Sequence, residues 1–118
     1  MGEVISFHRF LAAKQARQHN QARIRSEALR WIIIITLDNA RPGGTFEESV
    51  IFAIQAKCPG VTFNELRREL DYLAGHNLAK LKKQPDGRWF AGLTAAGIDV
   101  AEYTIGCESE IARPTEPE

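Results

Sequence analysis

The chain has 118 residues, no net charge at neutral pH, 44% hydrophobic residues and 25% charged residues, a composition typical of one folded domain with short tails. No apolar run approaches the roughly 20 residues that a membrane-spanning helix needs, so we expect no membrane span. The N-terminus has neither the basic leader and apolar stretch nor the cleavage site of a secretory signal, which predicts a cytoplasmic protein.

Charge is distributed unevenly along this neutral chain. Residues 1–45 carry seven Lys and Arg against three Asp and Glu, and residues 78–93 carry four against one. Residues 46–77 carry three against five, and residues 94–118 carry one against six. Because two basic segments alternate with acidic ones, local rather than total charge is the quantity that bears on nucleic-acid binding.

Residues 1–22 are predicted to form a basic, helical N-terminal arm. The stretch SFHRFLAAKQARQHNQA is rich in Ala, Gln, Lys and Arg, which favour helix, and Ser6 is a suitable N-cap. Its large apolar residues, Phe7, Phe10 and Leu11, lie only in the first turns. The arm is therefore polar apart from one apolar turn.

The run RWIIIITLDN, residues 30–39, is too short for its periodicity to distinguish a buried strand from a buried helix. No Gly or Pro occurs between residues 22 and 40, and strands average about 5 to 6 residues, so we predict a helix that ends at the Arg-Pro-Gly-Gly of residues 41–44. Four consecutive isoleucines cover nearly the whole helix circumference. One apolar face can pack on the two helices that follow, so the remaining apolar face must be covered by the arm, the last helix or a second copy. We predict a homodimer with Trp31, Ile34 and Ile35 at its interface.

Two short helices are predicted next, at about residues 46–57 and 63–76, joined by the tight turn Cys-Pro-Gly-Val. Thr45 with Glu48, and Thr62 with Glu65, have the spacing of capping boxes. In the second helix, leucines at positions 66, 70 and 73 form an apolar stripe. This order of elements is that of a helix-turn-helix unit.

A β-hairpin and a last helix follow. The segments LAKLKKQ and WFAGL are joined by Pro-Asp-Gly-Arg, which is a strong turn signal. Asn77 suits the left-handed position before the hairpin, and Thr94 is predicted to cap a helix over residues 95–103. Residues 106–118 are acidic with two prolines, and we expect them to be disordered.

The stretch LRRELDYLAGHNLAKLKKQPDGRWFAGLTAAG, residues 66–97, resembles the winged-helix regulators of bacteria. The resemblance implies an α+β, mostly α, winged helix-turn-helix fold with the order helix, helix, helix, hairpin, helix, over residues 23–105. Arg-Arg-Glu-Leu-Asp-Tyr-Leu and the ending Asp-Val-Ala-Glu-Tyr-Thr also resemble small winged-helix proteins of Mu-like prophages. Where the family usually has glycine this chain has Asn77, which also accepts a left-handed backbone.

The resemblance implies a double-stranded DNA-binding transcriptional regulator of phage or prophage origin, which we expect to act as the homodimer predicted above. A short helix can read base edges in the major groove, and wing or arm residues can bind phosphates or the minor groove. The predicted contacts are Asn64, Arg67, Arg68 and Asp71 on the recognition helix, Lys80, Lys82, Lys83 and Arg88 on the wing, and Arg9, Lys14, Arg17, Arg23 and Arg25 on the arm.

Two alternatives stay open. Glu65, Glu69 and Asp71 would repel phosphate, so NELRRELD could be a solvated face with ion pairs inside the helix, and the hairpin lysines could protect a sheet edge. Winged helices also dock proteins, so the chain could be a phage assembly or morphogenesis factor, or another interaction module with a phage or host protein partner.

Catalysis, metal binding and cofactor binding are not expected. The sequence contains no glycine-rich phosphate loop, nucleophile elbow or paired metal-ligand motif. Its three histidines are scattered, and Cys58 and Cys107 lie far apart without the spacing of a metal or redox site.

Overall fold

The computed structural model of the chain describes residues 2–115, with side chains from residue 7 onward. Four helices and a small three-stranded antiparallel sheet form an α+β, mostly helical fold, as predicted. None of the helices in this range is both long and apolar enough to cross a membrane. The elements in chain order are α1 (Gly2–Asn39), β1 (Thr45–Phe46), α2 (Glu47–Gln55), α3 (Phe63–Gly75), β2 (Ala79–Lys83), β3 (Trp89–Leu93) and α4 (Ala95–Ala101).

Helix α1 is continuous over 38 residues, about 57 Å at 1.5 Å per residue. The boundary predicted between the arm and the domain, at residues 22 and 23, falls inside this one helix. All side chains from Phe7 to Ile24 are exposed. The protruding arm gives the chain a radius of gyration of 17.5 Å, compared with about 13 Å for a compact domain of this size.

The core lies along one face of the C-terminal half of α1. Leu29, Ile33 and Leu37 are spaced by four residues and are fully buried, together with Leu66 and Leu70 of α3. Ile34, which the sequence predicts at a dimer interface, is also fully buried within its own chain. That burial removes Ile34 from any interface with a second copy, whereas Trp31 and Ile35 are half-buried.

The start of α2 differs from the predicted capping box. Thr45 lies in β1, paired with Ala91 of β3, and α2 begins after Phe46 without a side-chain cap. Gly44, with φ of +93°, allows this pairing, because a Cβ there would lie 2.4 Å from the Ala91 carbonyl oxygen. Strand pairing thus replaces the side-chain cap predicted at Thr45, and the hairpin becomes a three-stranded sheet of order β1-β3-β2.

The signals at Thr62, Asn77 and Thr94 are confirmed, whereas Ser6, predicted as an N-cap, lies inside α1. The Thr62 hydroxyl accepts a hydrogen bond from the Glu65 amide at 3.1 Å, and the Thr94 hydroxyl accepts one from the Gly97 amide at 3.0 Å. Asn77 has φ of +59°, the left-handed conformation expected before the hairpin. Strands β2 and β3 are antiparallel, and their paired residues run from Ala79 opposite Leu93 to Lys83 opposite Trp89.

The C-terminal segment packs on the domain, in contrast to the predicted disorder. Ile111 is buried, the Ala112 amide donates to the Glu27 carbonyl at 3.0 Å, and the Arg113 guanidinium donates to the Val100 and Ile105 carbonyls. One apolar side chain and one long arginine thus anchor a segment whose composition is otherwise that of a tail. Residues 116–118 of the predicted tail lie outside the described residues.

Replacing Gly97 with alanine is expected to destabilise the fold. An added Cβ would lie 2.1 Å from the Leu78 carbonyl oxygen, so we expect a loss of about 1 to 3 kcal/mol in urea-induced unfolding. Gly75→Ala is the matched control, because a Cβ there meets nothing within 4 Å. Equal stability of Gly97→Ala and the control would contradict the close packing of α4 on Leu78.

Candidate nucleic-acid interface

Helix α3 presents a narrow polar face to solvent. Its buried leucines fix the orientation of the helix, so that Asn64, Arg68 and Asp71 are exposed on the opposite side, as predicted. Asp71 lies 3.6 Å from the Lys83 ammonium of β2. The charge of Asp71 is therefore partly balanced, whereas Asn64 and Arg68 keep donors directed to solvent.

Arg67, the fourth residue predicted on this face, is bound within the fold. Its guanidinium forms a bidentate pair with the buried Glu47 carboxylate and donates to the Gly87 carbonyl at 2.8 Å. It also lies 4.9 Å from the ring centre of Trp89. Arg67 therefore joins α3 to α2 and to the hairpin turn, and it is a structural residue rather than a free donor.

Two acidic residues of α3, Glu65 and Glu69, form hydrogen-bonded pairs with arginines of α1. The Arg25 guanidinium donates to both Glu65 oxygens, at 2.5 and 3.0 Å, and the Arg30 guanidinium donates to Glu69 at 2.9 Å. Hydrogen bonds from Arg25 lower the pKa of the Glu65 carboxyl. These pairs remove much of the negative charge that would repel phosphate.

The Arg30–Glu69 pair is largely buried beneath the polar face of α3. Glu69 is 1% exposed, and the Arg30 guanidinium lies 3.6 Å from the ring centre of Tyr72. Burial, followed by the hydrogen bond to Glu108, raises the pKa of Tyr72 to about 12. One Glu69 oxygen lacks a hydrogen bond within residues 2–115, and the exposed Arg68 guanidinium lies 3.7 Å from it.

A basic groove of about 420 Å³ runs between α1 and α3. On the α1 side, His19, Arg23, Ser26 and Arg30 fall within about 60° of the helix circumference, since each residue advances by about 100°. The α1–α3 groove is lined by His19, Ala22, Arg23, Arg25, Ser26, Arg30, Glu65 and Arg68. It therefore brings the predicted arm residues Arg23 and Arg25 together with Arg68.

His19 and Arg30 belong to this groove but were not among the predicted contacts. Their spacing from Arg23, four residues on one side and seven on the other, is the signal that places all three on one helix face. The predicted boundary between arm and domain, at residues 22 and 23, falls between His19 and Arg30 and so divides this pattern. Arg9, Lys14 and Arg17 lie on the exposed arm outside the groove and are spread over about 140° of its circumference.

The basic residues of the hairpin do not form one surface. Lys80 and Lys82 pair with Gly92 and Phe90, which places them on the sheet face opposite the buried Ala79 and Ala91. Lys83 faces α3 and lies 4.3 Å from the ring centre of Trp89. The Arg88 guanidinium binds Asp86 at 2.8 Å in the turn. The predicted wing contacts are thus divided between two sides of the sheet.

Comparisons with known proteins give one solved structure that shares the fold. It is a crystal structure from Ralstonia eutropha JMP134 of a protein described as a "putative DNA-binding protein". The TM-score is 0.56 at 22% sequence identity, over 66% of this chain and 95% of that chain. No protein-family model matches the chain, and no curated protein matches it.

The Arg25–Glu65 pair predicts a specific dependence of stability on pH. The folded-state pKa of the Glu65 carboxyl lies below that of an ordinary glutamate, so the stabilisation is fully present above the ordinary pKa and is lost as pH falls through the folded-state pKa. At pH 7 we expect Glu65→Gln to lower the free energy of unfolding by up to about 1 kcal/mol, because the pair is partly exposed.

The difference between wild type and Glu65→Gln should narrow at pH 3, as measured by urea denaturation at both pH values. Glu48→Gln, at an exposed position of α2, is the control and should change stability little at either pH. A Glu65→Gln difference that is the same at both pH values would contradict the pairing.

Arg67→Gln and Arg68→Gln remove the same charge from neighbouring positions of α3. Comparing them should distinguish an arginine that stabilises the fold from one that does not. Arg67→Gln leaves the buried Glu47 carboxylate without its bidentate partner and should lower the melting temperature. Arg68→Gln should leave the melting temperature nearly unchanged, since its side chain is 68% exposed. The reverse order in thermal unfolding would refute these assignments.

Proposed function

We propose that this chain is a non-catalytic, cytoplasmic, winged helix-turn-helix protein that binds double-stranded DNA. We further propose that it acts as a dimeric transcriptional regulator of phage or prophage origin. The observation that carries the proposal is the α1–α3 groove, where basic side chains of the arm lie beside the exposed donors of α3. A positive groove next to an exposed helix face is the electrostatic pattern of DNA-binding domains.

The arrangement of elements supports this assignment. Helices α2 and α3 are joined by a short turn through Pro59 and Gly60, and the β2–β3 hairpin follows α3 directly, as in a winged helix-turn-helix unit. The solved structure that shares this fold over 95% of its own length is described as a "putative DNA-binding protein". DNA binding by this chain is our inference from that fold and from the charge of the groove.

The chemistry of α3 suggests a division of roles in the complex. Asn64 and Arg68 carry the side-chain types that pair with adenine and guanine edges in the major groove. Arg23 is exposed on the neighbouring helix and is suited to a phosphate. Arg25 and Arg30 already neutralise Glu65 and Glu69. Their contribution is therefore to reduce the repulsion between these carboxylates and the phosphates of DNA.

The alternative function, a protein-interaction module such as a phage assembly factor, is favoured by one feature. Phe46 and Phe90 pack edge to face at 5.1 Å on the outer side of the sheet, with Lys80 and Lys82 on the same face. This apolar and basic surface points away from the α1–α3 groove and suits an acidic protein partner. A partner lost in Lys80→Gln/Lys82→Gln but kept in Arg68→Gln would favour this alternative.

Neutralising the groove should weaken DNA binding and flatten its salt dependence. Each phosphate contact contributes about −0.9 to the slope of log affinity against log salt. We therefore expect Arg23→Gln to make the slope less steep by about one, and Arg68→Gln to weaken binding by up to about 3 kcal/mol on a preferred sequence. Fluorescence anisotropy with labelled duplex DNA over a range of salt concentrations measures both.

Arg41→Gln is the charge-matched control. Arg41 is exposed beyond the C-terminal end of α1, where it pairs with Asp38 and Glu102, so its loss should leave both affinity and slope unchanged. Equal losses in all three variants would indicate a general charge effect, and undetectable binding of random and genomic duplexes at low salt would reject the proposal.

A further inference from the structure

We propose that the arm of one copy packs antiparallel along α1 of a second copy, on a face that we call the outward stripe: Ile24, Ala28, Trp31 and Ile35. This inference gives a geometry to the dimer of the proposed function. It rests on the apolar pattern of α1 and on the exposure of the arm, and not on DNA binding.

The outward stripe is a partly exposed apolar face opposite the core, where Trp31 packs edge to face on Tyr103 with 6.0 Å between ring centres. Its residues are spaced by four, three and four, and they fall within about 60° of the helix circumference. The centre of this face lies about 170° from that of Leu29, Ile33 and Leu37, which are buried. Ile24 is 59% exposed, and the other three side chains are partly exposed. Spacing of this kind is that of a coiled-coil seam.

The same spacing continues through the arm. In steps of three and four, the seam runs N-terminally from Ile24 through Gln21, Arg17, Lys14, Phe10 and Phe7. Phe7 and Phe10 are 60% and 57% exposed. The seam is therefore apolar at both ends and polar in the middle. When the second helix runs in the opposite direction, the apolar arm of each copy lies against the apolar outward stripe of the other.

Charge decides the direction of the second helix. In a parallel pair, Lys14 would face Lys14 and Arg17 would face Arg17 along the seam, which is unfavourable. In an antiparallel pair with its two-fold axis near residues 19–23, both lie opposite seam residues between Gln21 and Trp31 of the second copy, all of which are uncharged. The same arrangement places the Phe7–Phe10 turn beside the exposed apolar half of the second helix.

A groove beside the outward stripe can receive the arm. It has a volume of about 340 Å³ and lies between α1 and the end of α2, with Ile24, Ala28, Ile32 and Cys58 among its lining residues. Apolar lining of this size fits aromatic side chains such as those of the arm. The α1–α3 groove lies on a different side of α1, so one copy can contact the second copy and DNA at once.

The arm itself needs such a contact. Every side chain from Phe7 to Ile24 is exposed, and a helix of this length without packing is only marginally stable in water. Association with a second copy covers its apolar turn and supplies the packing that its own domain does not.

Sedimentation analysis of the full chain without DNA tests the association. We expect a dimer at micromolar concentration, with a dissociation constant raised at least tenfold by Ile24→Glu and by Phe10→Glu. Phe52→Glu is the matched control, since Phe52 is 81% exposed on α2 outside the seam, and it should leave the dimer intact. A monomeric wild type, including one that associates only when duplex DNA is added, would overturn the proposal, as would a dimer unaffected by both seam variants.

Cysteine cross-linking tests the direction, in a background with Cys58→Ser and Cys107→Ser. Gln21→Cys lies near the proposed two-fold axis and should cross-link two copies upon oxidation, whereas Phe10→Cys alone should not. Cross-linking through Phe10→Cys would establish a parallel pair and refute the antiparallel arrangement. DNA affinity is measured separately by anisotropy, so failure of the dimer and failure of DNA binding give different results.

Discussion

The whole arrangement depends on how the circumference of α1 is divided. One face, through Leu29, Ile33 and Leu37, forms the core with α2 and α3. A second face carries His19, Arg23 and Arg30 of the α1–α3 groove, and a third is the partly exposed outward stripe. Because all three belong to one continuous helix, their angular relations are fixed by its regular 3.6-residue turn. A change in the core face therefore also displaces the proposed DNA and dimer surfaces.

Arginine–carboxylate pairs hold α3 on both of its flanks. Arg25 and Arg30 bind it from α1, and the Arg67–Glu47 pair binds it to α2 and the hairpin. Two of the acids, Glu47 and Glu69, are almost completely buried, at 3% and 1% exposed. Such carboxylates are costly without partners, so the pairs define one position for α3. The exposed residues Asn64 and Arg68 are consequently presented in a fixed orientation.

The sequence was informative wherever a local signal determined the structure. The leucine stripe of α3, the caps at Thr62 and Thr94 and the Asp-Gly turn all predicted their elements, because each depends on residues close in the chain. Contacts between distant residues could not be predicted in this way. The pairing of Thr45 with Ala91, the burial of Ile34 and the anchoring of Ile111 all depend on residues brought together only by folding. The same reason explains why Arg25 and Arg67 were predicted as DNA contacts although carboxylates bind them.

The most direct test of the central claim is to map the DNA contact residue by residue. Titrating the isotope-labelled protein with duplex DNA and following its amide resonances reports which surface is perturbed. We expect changes concentrated at residues 19–30 of α1 and 62–71 of α3, the two sides of the α1–α3 groove. Changes confined to the outer face of the sheet, around Lys80 and Lys82, or to the C-terminal segment would contradict it.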